Sequence, residues 1–128
     1  MTASPQRRAL AVLVVDDDPR VRRGLVHLLG STPGVAVAGT AHDVDGALRQ
    51  ARALRVAGAA DVALVDALLP TAEHGLALVR RLVPVLPVVV LSVNGAARPA
   101  ALAAGASSYV EKDGDLDDLV RALQAAAG

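Results

Sequence analysis

The sequence predicts an α/β fold in which helices cover both faces of a doubly wound parallel sheet. Short apolar runs alternate five times with segments of helical periodicity, and this alternation is typical of parallel sheets. The apolar runs are rich in Val, Leu and Ala and carry few polar residues, as expected of strands that are buried on both faces. The chain of 128 residues is 53% hydrophobic, which suits one domain with a substantial core.

The first strand and helix are predicted over residues 10–15 and 20–29. The strand is an apolar, β-branched run, and Asp18 and Pro19 then suit the N-cap and the first position of a helix. The predicted inward residues of the helix are Val21, Leu25, Leu28 and Leu29, and the predicted outward ones are Arg20, Arg22 and Arg23. Because Asp18 can fill the N-cap, Asp16 and Asp17 are not needed for capping. They lie side by side at the carboxyl end of the strand.

The second unit is a weaker strand over residues 35–41 and a helix that runs to about residue 56. Either Asp43 or Asp45 can cap this helix, and Gly58 ends it. The predicted inward residues are Ala47, Leu48, Ala51 and Leu54, and the predicted outward ones are Arg49, Arg52 and Arg55.

The third unit contains the most abrupt polar boundary in the chain. An apolar run ends directly in Asp66, so the strand predicted over residues 62–66 carries a carboxylate at its carboxyl end. A turn from Pro70 to Gly75 is then expected, followed by a helix over residues 76–83 that Pro84 closes.

The last two strands are also followed by polar residues, Ser92 and Lys112. Pro99 is expected to open a short fourth helix that Gly105 caps, and Asp115 is expected to cap the fifth helix. The predicted ranges are 87–91 and 107–111 for the strands, and 99–104 and 116–126 for the helices.

Right-handed crossovers restrict the topology, and the simplest solution is a flavodoxin-like (β/α)5 sheet with strand order 2-1-3-4-5. Its switch point lies between strands one and three, and ligands bind such sheets at the carboxyl ends of the strands. The candidate site residues at that edge are Asp16, Asp17, Asp66, Ser92 and Lys112.

These residue types favour phosphoryl chemistry with a hard metal ion. Three carboxylates without thiolates suit Mg²⁺, which takes oxygen ligands and shares phosphate oxygens. A carboxylate can also act as a nucleophile and form an aspartyl phosphate, while a hydroxyl and an ammonium neutralise charge on the transferring group. Taken singly, Asp66 can equally begin an ordinary loop, and Ser92 and Lys112 can be ordinary surface residues.

Composition excludes several other classes of site. The chain has no cysteine, so thiol nucleophiles and thiolate metal sites are absent, and its formal net charge of zero argues against a phosphate-backbone binding face. His27, His42 and His74 have no metal-binding spacing. Residues 1–8 are expected to be a short polar lead-in to a domain over residues 9–128, with no signal peptide or membrane span and with the cytoplasm as the default compartment.

Several motifs resemble the receiver domain of bacterial two-component response regulators. They are Val14-Val15-Asp16-Asp17-Asp18-Pro19, Asp66-Ala67-Leu68-Leu69-Pro70, Leu91-Ser92 and Gly105-Ala106-Ser107-Ser108-Tyr109-Val110-Glu111-Lys112-Asp113. The tail that begins at Asp115 is most similar to receivers that precede a helix-turn-helix output domain, which is not expected within this chain.

The resemblance implies a role for each site residue. Asp66 would accept a phosphoryl group from a histidine kinase, and autocatalytic phosphorylation and dephosphorylation are expected. Mg²⁺ would be held by Asp16, Asp17, Asp66 and the backbone carbonyl of Leu68. Lys112 would pair with the phosphoryl oxygens, Ser92 would move to bond them, and Tyr109 would swing inward.

In the family these movements remodel the face formed by helix four, strand five and helix five, often for dimerisation, so the resemblance implies control of a DNA-binding output domain. The chain departs from the family pattern in a longer Thr71–His74 loop, a shortened helix four and Val93 after Ser92. These departures motivate an alternative hypothesis, a receiver-like interaction module that is tuned by a ligand or constitutively dimeric and does not depend on phosphorylation.

Overall fold

The computed structural model describes residues 9–67, 71–93 and 95–128 and contains five strands and five α-helices in strict alternation. The strands are β1 (Leu10–Val15), β2 (Val35–Ala41), β3 (Val62–Asp66), β4 (Val88–Ser92) and β5 (Ser108–Glu111). The helices are α1 (Pro19–Gly30), α2 (Val44–Ala57), α3 (Ala72–Leu82), α4 (Arg98–Ala103) and α5 (Leu116–Ala127). A 3-10 turn over Gly95–Ala97 leads directly into α4.

All strand pairs are parallel, and the sheet order is β2-β1-β3-β4-β5. The predicted flavodoxin-like arrangement is therefore confirmed. The order reverses between β1 and β3, which places the carboxyl ends of these two strands side by side at the switch point.

The helices form two layers on the sheet. Alternate residues of each strand face opposite sides: Leu13 and Val15 pack in the cluster that contains the buried residues of α2, α3 and α4, whereas Val12 and Val14 pack with those of α1 and α5. Every residue of the two strands β3 and β4 is buried. The central strands are thus held from both faces, which fixes their carboxyl ends relative to one another.

Side chains at the helix starts explain where four of the helices begin. Asp18, Asp43, Thr71 and Asp115 each occupy the N-cap and accept a hydrogen bond from a backbone N–H of the first turn. The structure selects Asp43 rather than Asp45 as the cap of α2. Gly58 then ends α2 in the left-handed conformation, with φ of 64°.

Helix α3 begins at Ala72, four residues before the predicted start at Leu76. The prediction was wrong because Gly75 was interpreted as part of a turn, whereas it is a buried residue inside the helix. Thr71 supplies the N-cap, and its Oγ1 accepts from the His74 N–H at 3.3 Å. Pro70, the first residue of the predicted turn, lies outside the described residues.

Two predictions for α1 were also wrong. Leu28, which was predicted to face inward, is 42% exposed, while Leu29 fills the core position. Arg22, which was predicted to face water, is partly buried and donates to a backbone carbonyl. Among the described residues, no helix combines the length and the apolar character that crossing a membrane requires.

Candidate functional site

The sheet register brings the predicted polar residues to one edge. Val15 of β1 pairs with Val65 of β3, so Asp16 and Asp66 follow neighbouring positions of adjacent strands. On the other side of β3, Asp66 pairs with Leu91, which precedes Ser92. The Lys112 N–H donates to the Ser92 carbonyl at 2.6 Å and extends the pairing of β4 with β5 to the same edge.

The three aspartates predicted as metal ligands form a cluster at this edge. One carboxylate oxygen from each of Asp16, Asp17 and Asp66 lies within 4.8 Å of those from the other two. Asp16 is fully buried and Asp66 is 8% exposed, whereas Asp17 is exposed. The cluster therefore has two buried members that the strands position and one member that lies open to solvent.

Asp16 is held through almost all of its polar atoms. Its N–H donates to the Ala41 carbonyl at 3.1 Å, its carbonyl accepts from Arg22 Nη1 at 2.9 Å, and its Oδ1 accepts from the Asp18 N–H at 2.9 Å. Oδ2 is buried and has no hydrogen-bond partner within the described parts of the chain. A buried carboxylate oxygen without a donor is costly, so this atom is suited to a cation.

Burial raises the pKa of Asp16 above its ordinary value, because removal from water disfavours the charged carboxylate. The hydrogen bond from the Asp18 N–H opposes this rise in pKa, the negative charge of Asp66 adds to it, Lys112 opposes it and Asp17 adds to it. The site thus concentrates negative charge in a buried position, and its own lysine compensates for only part of that charge.

Lys112 provides the cation of the site. Its Nζ lies 3.5 Å from Asp66 Oδ1, and its side chain is 26% exposed. Ser92 is buried beside these two residues at the end of β4. A carboxylate and an ammonium therefore lie next to each other at this edge, and Ser92 ends the adjacent strand.

Two other residues named in the sequence analysis, Tyr109 and Val93, differ in burial. Tyr109 is buried in the core cluster that contains α4, with only 4% of its surface exposed. Val93 is 58% exposed, so its side chain lies outside the core. Leu68, whose carbonyl was predicted as a metal ligand, and Asn94 lie outside the described residues.

Two residues that support the site, Gly75 and Arg22, are not predicted from the sequence. Gly75 allows α3 to approach the chain just after Asp66, because a Cβ at this position would lie 2.2 Å from the Ala67 carbonyl oxygen. Arg22 bonds the backbone of Asp16 from α1. Arg22 follows Asp16 by six residues, one turn into the helix, and this spacing is the signal that could have identified it.

The donor set fits a hard divalent cation such as Mg²⁺. All the side-chain donors are carboxylate oxygens, which is the chemistry that Mg²⁺ prefers, and the unpartnered Oδ2 of buried Asp16 is available to a cation. Asp17 is exposed, so the cluster is in contact with solvent on its side.

Comparisons with known proteins point to one family. A family model described as the response regulator receiver domain matches residues 12–124. The DNA-binding transcriptional activator DevR/DosR of Mycobacterium tuberculosis is 38% identical over 118 residues, which is 88% of this chain and 52% of that protein. This chain therefore spans about half the length of DevR/DosR.

Solved structures give the same result. A two-component response regulator of the LuxR family from Aurantimonas sp. SI85-9A1 superposes with a TM-score of 0.76 at 29% identity, over 93% of this chain and 85% of that one. A response regulator from Burkholderia pseudomallei, with a phosphorylated aspartic acid, a calcium ion and citrate, superposes with a TM-score of 0.72 at 29% identity, over 92% of this chain and 68% of that one.

Proposed function

This chain belongs to the response regulator receiver domain family, and from that premise we propose that it is a signalling switch that accepts a phosphoryl group on Asp66 from a histidine kinase. The observation that carries the proposal is the position of Asp66, a nearly buried carboxylate 3.5 Å from Lys112 Nζ and within 4.8 Å of two further carboxylates. That setting joins a nucleophile to a cation and to a metal-binding cluster, which is the combination that phosphoryl transfer requires.

In the proposed step, an Asp66 carboxylate oxygen attacks the phosphorus atom of a phosphohistidine. A P–O bond forms to Asp66, the P–N bond to the imidazole breaks, and the imidazole leaves with the electron pair. Mg²⁺ held by Asp16, Asp17, Asp66 and the Leu68 carbonyl would supply positive charge against the phosphoryl oxygens. Lys112 would pair with one of those oxygens, and Ser92 would donate its hydroxyl hydrogen to another.

Dephosphorylation of Asp66 would use a water molecule as the nucleophile. Attack of a water molecule on the phosphorus breaks the new P–O bond, releases inorganic phosphate and regenerates the Asp66 carboxylate. Both reactions would be autocatalytic, because the site itself supplies the charges that neutralise the transferring group.

We propose that the output is a rearrangement of the surface formed by α4, β5 and α5, followed by dimerisation and control of a DNA-binding domain. Ser92 and Tyr109 lie on the adjacent strands β4 and β5, and Tyr109 packs in the same core cluster as Ala101 of α4. A movement of Ser92 would therefore alter how α4 packs through Tyr109. DevR/DosR, which is a DNA-binding transcriptional activator, supports this form of output for a related receiver.

A second candidate function is a receiver-like module that acts independently of phosphorylation. The observation in its favour is Tyr109, whose side chain is already buried against the α4 side of the sheet. If burial of this ring defines the output-competent packing, the chain holds that packing without a phosphoryl group. A dimer fraction that does not respond to a phosphoryl mimic would support this second function.

The test is intact-protein mass spectrometry after incubation with acetyl phosphate, with either Mg²⁺ or excess EDTA. We expect the wild-type chain to gain the mass of one phosphoryl group with Mg²⁺ only. Asp66→Asn should gain nothing, whereas Asp45→Asn, at an exposed position in the first turn of α2, should behave as wild type. Modification of Asp66→Asn, or a folded wild type that stays unmodified, would contradict the assignment.

A further inference from the structure

Arg22 of α1 makes a contact with the acidic cluster that the proposed phosphoryl chemistry does not use. Its Nη1 donates to the Asp16 backbone carbonyl at 2.9 Å in a partly buried position. The contact spans six residues and links the body of α1 to the end of β1. The neighbouring residue Arg23 is exposed on the same helix and provides a comparison.

The Asp16 carbonyl lies beyond the last paired residue of β1, because Val15 is the final residue that pairs with β2 and with β3. Asp16 is nevertheless fully buried. A buried carbonyl needs a donor, and among residues 9–67, 71–93 and 95–128 no backbone N–H of the sheet donates to it. The guanidinium of Arg22 meets that need from outside the sheet.

The peptide bond that contains this carbonyl joins Asp16 to Asp17. Peptide units are planar, so fixing the carbonyl also fixes the N–H of Asp17 and the direction in which the chain continues. Asp17 is exposed, and packing therefore does little to orient it. Together with the hydrogen bond from the Asp18 N–H to Asp16 Oδ1, the orientation of this peptide sets the course of the chain at Asp17.

We propose that Arg22 is a positioning residue for the metal site: its guanidinium holds the Asp16–Asp17 peptide so that the Asp17 carboxylate converges with the other two. The inference rests on the proposed function, since it concerns the metal site of the same reaction. Arg22 acts through its directed hydrogen bond to the carbonyl rather than through its charge alone.

The experiment uses Mn²⁺ as the probe, since carboxylate sites that suit Mg²⁺ also bind Mn²⁺ and free Mn²⁺ can be measured by electron paramagnetic resonance. Arg22→Gln should weaken Mn²⁺ binding by about 10-fold or more, as expected when a residue that orients a metal ligand is lost. Arg22→Lys should show a similar loss, because an ammonium keeps the charge but lacks the planar guanidinium N–H that reaches the carbonyl. Arg23→Gln should match wild type.

A double-mutant cycle with Asp17→Asn separates positioning from general stability. If Arg22 acts through Asp17, Arg22→Gln should cost little further affinity once Asp17 has been replaced. Unchanged affinity in Arg22→Gln, full retention in Arg22→Lys, or independent losses in the cycle would overturn the inference.

The same series separates this inference from the proposed function. A wild type that binds no Mn²⁺ would overturn the metal site, and with it the role of Arg22. A wild type that binds Mn²⁺ with the predicted dependence on Arg22, but accepts no phosphoryl group from acetyl phosphate, would overturn the proposed function and support the positioning role.

Discussion

The acidic edge of the sheet is held by more side-chain hydrogen bonds and is more deeply buried than helix α4 of the α4–β5–α5 surface. At the acidic edge, Asp16 is bonded through its N–H, its carbonyl and one carboxylate oxygen, and the strands beneath it are fully enclosed. On the α4–β5–α5 surface, α4 has six residues, and its N-cap Ala97 provides no side-chain hydrogen bond. Leu102 of α4 is 39% exposed.

This contrast fits two different roles, chemistry at the acidic edge and a change of packing at the α4–β5–α5 surface. Chemistry at the acidic edge requires atoms held at fixed distances, and strand register with local hydrogen bonds provides them. A surface that must change its packing is better formed from a short, weakly capped helix, because segments with few buried contacts open at low free-energy cost.

The largest effect is expected for Asp16→Asn at the acidic edge. Loss of this buried carboxylate should weaken Mg²⁺ or Mn²⁺ binding by about 100-fold or more, because it removes a ligand rather than a neighbour of one. Without metal, the same variant should be more stable than wild type by on the order of 1 kcal/mol, since it removes a buried charge whose Oδ2 has no hydrogen-bond donor. Metal titration and urea unfolding of the same samples measure both effects.

The raised pKa of Asp16 determines whether the free energy of unfolding of the metal-free protein rises or falls with pH. Between the ordinary pKa of an aspartate and the raised pKa, the folded chain binds more protons at Asp16 than the unfolded chain does. The free energy of unfolding contributed by this group therefore falls as pH rises through that window. Asp16→Asn should lack this contribution, so the difference in stability between variant and wild type should grow with pH; a difference that shrinks would contradict it.

Gly75→Ala should have the next largest effect, because it targets the close approach of α3 to the chain after Asp66. The added Cβ would lie 2.2 Å from the Ala67 carbonyl oxygen, so backbone must shift. We expect a loss of about 1–3 kcal/mol in the free energy of unfolding and slower labelling by acetyl phosphate. Gly24→Ala is the matched control on α1, where nothing lies within 4 Å of a new Cβ.

The control should move in the opposite direction. Alanine in an open helical position is expected to stabilise the chain by about 0.5–1 kcal/mol and to leave labelling unchanged. Equal effects of the two substitutions on stability and labelling would show that the contact between α3 and Ala67 has no special role.

The smallest effect is expected on the α4–β5–α5 surface. Arg98 Nη1 donates to the Tyr109 carbonyl at 3.3 Å and ties α4 to β5. Arg98→Ala should lower the free energy of unfolding by about 0.5–1 kcal/mol and speed amide hydrogen exchange in α4 while leaving metal affinity unchanged. Arg121→Ala, which removes an exposed ion pair with Asp118, is the control and should change less. A loss of metal affinity in Arg98→Ala would show that the two regions are not separable.

Much of the fold could be predicted from the sequence because its signals are local. The limits of β1, β2 and β3 and the caps of α1 and α5 follow from apolar runs and from an Asp or Asp-Pro at the boundary. The convergence of Asp16, Asp66, Ser92 and Lys112 follows from topology alone, since parallel strands end at one edge.

The remaining features depend on tertiary contacts that local patterns do not encode. Gly75 looks like a turn residue, yet it lies within α3, at a position where the Ala67 carbonyl oxygen leaves no room for a side chain. Arg22 looks like a solvated helix residue, yet a buried carbonyl beyond β1 attracts it. The periodicity of α1 cannot distinguish Leu28 from Leu29, because the strands, not the helix, decide which of them reaches the core.

The most direct test of the central claim is to locate the phosphoryl group chemically. The chain is incubated with acetyl phosphate and Mg²⁺, the acyl phosphate is reduced with borohydride to homoserine, and the peptides are sequenced by mass spectrometry. We expect homoserine at position 66 and at no other aspartate. Homoserine at Asp16 or Asp17, or none in a folded and metal-binding chain, would contradict it.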